Sequence, residues 1–180
     1  MRVLLHGAKG VMGQNVQEVA KKTEGMEIVA GLDSHTDLKH PGFPVYGSGA
    51  EVKEDFDCII DFSVKEAVDA LLDFAVEKKK PLVLCTTGLN EAQEKKLQEA
   101  SKQIPILRSG NMSLGINLLQ ELLRIAAKKL YENDFDIEIM EAHHRRKKDA
   151  PSGTALMLEK AVEEGIGEAL VKVYDRSGRD

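Results

Sequence analysis

Val3-Leu4-Leu5-His6-Gly7-Ala8-Lys9-Gly10-Val11-Met12-Gly13 is the stretch on which the fold turns. Three apolar residues open it in the pattern of a short buried strand. A glycine-spaced turn follows at once, and Val11 to Lys22 continues with apolar residues at helical spacing. Strand, glycine turn and helix in that order describe a phosphate-binding corner. Glycines let the backbone approach a pyrophosphate, and the first N–H groups of the helix have no acceptor of their own. The spacing is G-x-x-G-x-x-G rather than G-x-G-x-x-G, so an ordinary tight turn is the alternative and context decides between them. Asp33 ends the next apolar run, 33 − 13 = 20 positions beyond Gly13, where an acid accepts hydrogen bonds from the adenosine ribose hydroxyls of a dinucleotide. Its charge repels a 2′-phosphate. Ser34, not Arg, comes next, which leaves Lys9 and His35 as the nearest candidate partners for that phosphate.

Outward from this corner the same alternation continues. Ile28 to Leu32, Cys58 to Phe62, Leu82 to Cys85 and Ile104 to Leu107 are short apolar runs, and Lys65 to Lys78 and Glu91 to Lys102 are amphipathic. Continuous rather than alternating hydrophobicity suits parallel strands covered on both faces. The pattern predicts an α/β fold with a Rossmann-like, doubly wound parallel sheet. Asp61-Phe62-Ser63, Thr86-Thr87-Gly88 and Ser109-Gly110-Asn111 fall at the carboxyl ends of the runs, where such sheets form their ligand crevice.

Past Asn111 the pattern changes. Leu114 to Leu130 predicts one long helix, Phe135 to Glu141 alternates as a strand, Pro151 to Glu164 predicts a second helix and Leu170 to Tyr174 a further strand. The boundary expected near Met112 separates a dinucleotide-binding domain, 1–112, from an α+β domain, 113–180. Composition narrows the function. With 180 residues, a formal charge of −5, no Trp and 4% aromatic residues, a general nucleic-acid binder is disfavoured. No stretch approaches a membrane span or a secretory signal, so a soluble, cytoplasmic protein is expected. Cys58 and Cys85, both in apolar runs, read as core thiols of a reducing compartment.

The second informative stretch is Glu141-Ala142-His143-His144-Arg145-Arg146-Lys147-Lys148-Asp149-Ala150-Pro151-Ser152-Gly153-Thr154-Ala155. On a strand, His143 and His144 would face opposite ways; a loop relaxes that limit. Metal binding is disfavoured, because four cations surround the pair and no i, i+4 His or Cys ligand accompanies it. A nucleic-acid patch or a solvated charged face leaves the next residues unexplained. Asp149 as cap and Pro151 in the first turn describe a helix entry, with the N–H groups of Ser152, Gly153 and Thr154 among its orphan donors. Such donors beside histidines and lysines make a seat for carboxylates, next to groups able to move a proton or stabilise developing negative charge.

Taken together, Gly7 to Gly13, Asp57 to Ser63, Thr86-Thr87-Gly88, Gly110 to Asn117 and Glu141 to Ala155 resemble, in order and across the whole chain, the segments of the dihydrodipicolinate reductase family. The resemblance implies reduction of a small cyclic dicarboxylate by NADH or NADPH in lysine and diaminopimelate biosynthesis. It implies that His143 acts in proton transfer, that Lys147 donates a proton or stabilises the reduced intermediate, and that His144, Gly153 and Thr154, with Ser152 beside them, hold substrate carboxylate. Gly7, Ala8, Lys9, Gly10, Val11, Met12, Asp33, Thr86, Thr87, Ser109, Gly110, Asn111 and Met112 would bind the cofactor. A homotetramer built through a substrate and oligomerisation domain is also implied; the residues themselves have already spoken against a metal, nucleic acid or membrane partner. The chain departs from the family at Val11 and Ser34, where Arg is frequent, which favours NADH over NADPH. Cys85 stands where Gly is common, narrowing the nicotinamide pocket. Family members also continue past the equivalent of Asp180, so the second domain is expected to be incomplete at its C-terminus. Rival readings are a non-catalytic dinucleotide-binding module, another small NAD-dependent dehydrogenase of amino-acid metabolism, and a metal-dependent hydrolase; the cationic run speaks against the last two.

Overall fold

The computed structural model describes residues 1–34, 42–145, 147 and 150–174. His35, Arg146, Lys148 and Asp149, used in the sequence reading, lie outside the described residues. The chain divides into two compact units, Met1–Gly110 and Asn111–Asp180.

The first unit runs β1 (Arg2–His6), α1 (Val11–Ala20), β2 (Glu27–Leu32), β3 (Val45–Tyr46), β4 (Cys58–Asp61), α2 (Val68–Lys78), β5 (Leu82–Leu84), α3 (Glu91–Ser101) and β6 (Ile106–Arg108). The strands form one sheet in the order β3-β2-β1-β4-β5-β6, and every pairing is parallel. The order reverses between β1 and β4, which opens a crevice at the carboxyl ends of those strands. Val3, Leu4 and Leu5 are fully buried, as the unbroken apolar run requires of a strand covered on both sides. On one face Leu4, Leu32, Ile59, Leu82 and Leu84 pack with Leu71, Leu72, Phe74 and Ala75 of α2 and Leu97 and Ala100 of α3. Truncating one such leucine to alanine costs about 2–5 kcal/mol.

α3 begins with a reciprocal cap: Gln93 N–H donates to Asn90 Oδ1 (2.9 Å) and Asn90 N–H to Gln93 Oε1 (3.2 Å). Gln93 Nε2 also donates to the Lys65 carbonyl (2.7 Å), joining the entries of two helices. Two details differ from the sequence reading. Lys65–Ala67 is a 3-10 turn, so α2 starts at Val68. β3 was not anticipated, because two residues display no periodicity; Gly31 N–H to the Pro44 carbonyl (2.9 Å) and Asp33 N–H to the Tyr46 carbonyl (3.0 Å) fix it at the sheet edge.

The second unit contains α4 (Leu114–Tyr131) and α5 (Gly153–Ile166). They cross at backbone contact, since a Cβ on Gly165 would lie 2.5 Å from the Arg124 carbonyl oxygen. The Arg124 Nε to Glu164 Oε2 hydrogen bond (2.7 Å) ties the same crossing. The strands expected at Phe135 to Glu141 and Leu170 to Tyr174 are not formed. A strand exists through its ladder, and the described residues of this unit supply none to pair with. Phe135, Ile139 and Met140 are exposed accordingly. Among the described residues, no helix is long and apolar enough to cross a membrane.

Candidate functional site

In the first unit the site is built on the glycine corner. Gly7 has φ +74°, and a Cβ there would lie 2.5 Å from the Phe62 carbonyl oxygen, so both conformation and space require glycine. A Cβ on Gly13 would come within 2.8 Å of the Ala8 carbonyl and closer still to the Gly7 oxygen, so the helix starts directly against the turn. The turn's own N–H groups are already engaged. Gly7 and Ala8 donate to the Leu32 carbonyl (2.9 and 3.3 Å), Lys9 to Asp33 Oδ2 (2.8 Å) and Gly10 to the Gly7 carbonyl (3.2 Å). The N–H groups without an acceptor inside the helix are those of the first turn of α1, Val11, Met12 and Gly13, to which the N-cap Gly10 offers no side chain. Val11 and Met12 are exposed. This donor set, with its glycine-cleared approach, fits a dinucleotide pyrophosphate. Asp33, at the end of β2, fixes the Lys9 N–H, and a carboxylate has capacity to accept further hydrogen bonds.

Beside this corner lies a polar network that reading the sequence overlooked. Register places His6 opposite Asp61 and Asp61 opposite Leu84, with Thr86 two residues further on the same face. His6 Nδ1 donates to Asp61 Oδ1 (2.8 Å), the Ser63 N–H to the same oxygen (3.1 Å) and Thr86 Oγ1 to Asp61 Oδ2 (2.6 Å). Asp61 is wholly buried. Burial pushes its carboxyl up, but the hydrogen bonds from His6, Ser63 and Thr86 outweigh that and hold it below the ordinary aspartate range. Burial and the nearby Asp61 charge push the Cys85 thiol up to about 11, so it behaves as a core thiol rather than a nucleophile. Cys58 and Cys85 are both free. The hint available in the sequence was an acid closing the apolar run Cys58-Ile59-Ile60-Asp61, since a buried charge demands partners. Thr86 directs its donor to Asp61, whereas Thr87 is exposed. The Ser109 N–H donates to the Leu84 carbonyl (3.2 Å), which holds the 109–110 segment at the end of β5.

In the second unit Ser152, not Asp149, is the N-cap of α5: its Oγ accepts from the Ala155 N–H (3.0 Å). The expectation that the Ser152 N–H is an orphan donor is overturned. It donates to Glu141 Oε1 (2.8 Å), and Ser152 Oγ donates to Glu141 Oε2. Gly153 and Thr154 remain as the first turn, whose N–H groups have no acceptor within the helix. Asn111 Nδ2 donates to Thr154 Oγ1 (3.0 Å), and Asn111 Oδ1 accepts from the Ser113 N–H (2.9 Å), so the loop before α4 meets the start of α5. Met112 is exposed.

Residues 141–144 are not a strand, which lifts the constraint on adjacent histidines. The Lys147 N–H donates to the His144 carbonyl (3.1 Å), and His143 Nδ1 lies 3.7 Å from Glu141 Oε2. Hydrogen bonds from the Ser152 hydroxyl and N–H hold the Glu141 carboxyl below the ordinary glutamate range, helped by the charges of His143 and Lys147. The stretch thus gathers proton-exchanging and cationic side chains near a helix start. Among the described residues, no group of three His, Cys, Asp or Glu could hold a metal ion.

Comparison with known proteins bears on both units. The family model described as "Dihydrodipicolinate reductase, N-terminus" matches residues 1–112, and the one described as "Dihydrodipicolinate reductase, C-terminus" matches residues 115–178. A 4-hydroxy-tetrahydrodipicolinate reductase of Caldanaerobacter subterraneus subsp. tengcongensis is 50% identical over 177 residues, covering 98% of this chain and 68% of the relative. One from Clostridium perfringens is 42% identical over 179 residues, covering 99% and 70%. Among solved structures, a dipicolinate-bound dihydrodipicolinate reductase from Paenisporosarcina sp. TG-14 aligns with a TM-score of 0.75 at 26% identity, over 100% of this chain and 71% of that one.

Proposed function

This chain belongs to the dihydrodipicolinate reductase family, and on that premise we propose that it is a 4-hydroxy-tetrahydrodipicolinate reductase, forming tetrahydrodipicolinate in diaminopimelate and lysine biosynthesis. One observation carries the reading: a single chain holds both a pyrophosphate-ready glycine corner and a His- and Lys-bearing stretch beside a capped helix start. NAD(P)H, when bound, supplies the hydride for the unsaturated ring.

The chain's own residues bind, orient and move protons. Gly7, Ala8, Lys9 and Gly10 shape the turn, the N–H groups of Val11, Met12 and Gly13 receive the pyrophosphate, and Asp33 receives the ribose. Thr86, Thr87, Ser109, Gly110, Asn111 and Met112 serve the nicotinamide side. Gly153, Thr154 and His144 hold a substrate carboxylate, while Ser152 acts as the cap that orients them. Lys147 donates a proton or stabilises the negative charge that develops as the ring is reduced, and His143 exchanges the proton. NADH is the preferred donor in this reading, because Val11 and Ser34 offer no cation to a 2′-phosphate. The enzyme is taken as cytoplasmic and homotetrameric on the family resemblance.

The test is a calorimetric titration of the protein with NADH, alone and with saturating pyridine-2,6-dicarboxylate, a planar mimic of the substrate. Cofactor binding that tightens in the presence of the dicarboxylate supports the reading. NADH binding that ignores the dicarboxylate refutes it in favour of a dinucleotide-binding module.

A further inference from the structure

Glu141 is an acid placed where the proposed substrate brings negative charge. Electrostatics alone makes it unfavourable there, since a carboxylate next to a carboxylate seat repels the ligand. Its contacts explain its presence. Ser152 is almost completely buried, and both its donors, N–H and Oγ–H, end on the two oxygens of Glu141. With those donors held, Ser152 Oγ presents a lone pair to the Ala155 N–H and caps α5. The same carboxylate lies 3.7 Å from His143 Nδ1, beyond hydrogen-bond reach and within ion-pair distance.

We propose that Glu141 is a positioning residue: it clamps Ser152 so that the first turn of α5 presents the Gly153 and Thr154 N–H groups to a carboxylate. The inference rests on the reading that this turn receives the substrate. It also reassigns Ser152, which cannot donate to a ligand while both donors serve Glu141. A glutamine at 141 retains the clamp without the charge, because its amide oxygen accepts from the Ser152 N–H and its amide nitrogen donates to Ser152 Oγ. An alanine removes the clamp, and the nearly buried Ser152 N–H then has to find another acceptor or move.

Sign separates the clamp from electrostatics. Deleting a negative charge beside an anion seat tightens anion binding, whereas losing the clamp weakens it. Pyridine-2,6-dicarboxylate is titrated into the NADH-saturated protein and into its Glu141→Ala and Glu141→Gln variants. The alanine variant is expected to bind about tenfold more weakly, as for loss of a hydrogen bond to a charged group, and the glutamine variant within about threefold of wild type, as for its replacement by neutral hydrogen bonds. NADH affinity stays unchanged in both. Unchanged or tighter binding in Glu141→Ala, or equal weakening in the two variants, overturns the proposal. Amide hydrogen exchange decides it without ligand: Ser152 and Ala155 are expected to exchange about tenfold faster in Glu141→Ala than in Glu141→Gln. Equal exchange rates refute the clamp. If the wild-type protein takes up no dicarboxylate, the functional reading falls and the exchange rates alone decide the role of Glu141.

Discussion

Replacing Thr86 with valine removes one hydroxyl from the junction of β1, β4 and β5 and changes side-chain volume little. Thr86 Oγ1 donates to Asp61 Oδ2 at 2.6 Å, and both residues are buried, Asp61 completely. A hydrogen bond to a charged group contributes about 1.5–3 kcal/mol, and the valine leaves a buried carboxylate oxygen short of a donor. At roughly 2–4 °C per kcal/mol for a chain of this size, the melting temperature should fall by about 3–12 °C. Chemical denaturation followed by circular dichroism measures the loss, and a double-mutant cycle with Asp61→Asn isolates its cause. An asparagine can donate to Thr86, which turns its hydroxyl to accept, so in that background the valine should cost at least about 1 kcal/mol less. Equal losses in both backgrounds, or a loss below about 0.5 kcal/mol, refute the argument. The pH dependence follows from the direction of the shift. Asp61 is held below its ordinary range, so its contribution is present above the unfolded-state pKa and disappears as pH falls through the folded-state value. Thr86→Val lacks one of the bonds that depress that value, so its acid-induced loss should begin at the same unfolded-state pKa, be smaller, and be complete at a higher pH than in wild type.

Gly13→Ala would force the helix start away from the Gly7 and Ala8 carbonyls, and a turn fixed to Leu32 and Asp33 cannot readily yield. A stability loss of about 1–3 kcal/mol and roughly tenfold weaker NADH binding by fluorescence titration are expected, and wild-type affinity would contradict the pyrophosphate corner. Ser34→Arg supplies a planar cation next to Asp33 and should raise the NADPH-to-NADH ratio of kcat/KM about tenfold; an unchanged ratio removes the basis for NADH preference. Lys147→Ala should lower turnover by about 100-fold or more while NADH affinity stays within about twofold, and equal loss of both would misplace the lysine.

Patterns that a chain segment enforces on itself were legible before any coordinates. Val3 to Leu5 reads as a strand covered on both faces and Gly7 to Gly13 as a glycine turn into α1, because hydrophobicity and residue type within one short segment suffice for both. The spacing of Asp33 followed from the length of one βαβ step. Where a feature depends on a partner, the sequence misled or stayed silent. Phe135 to Glu141 alternates like a strand but has nothing to pair with, and β3 is too short to show a period. Asp149 and Ser152 are both good caps by residue type; only the bond from the Ala155 N–H to Ser152 Oγ shows Ser152 in that role, and only the fold brings Glu141, eleven positions earlier, onto its donors.

What the sequence by itself determined, then, is the strand–helix alternation of the first unit apart from β3, its parallel sheet and the glycine corner, since each is written in the pattern of neighbouring residues. Tertiary structure alone decided that Asp61 is satisfied by His6, Ser63 and Thr86, and that Glu141 holds Ser152. Those contacts join residues brought together by strand register and by the path of the chain back to a helix start, and neither register nor path is a property of any local window.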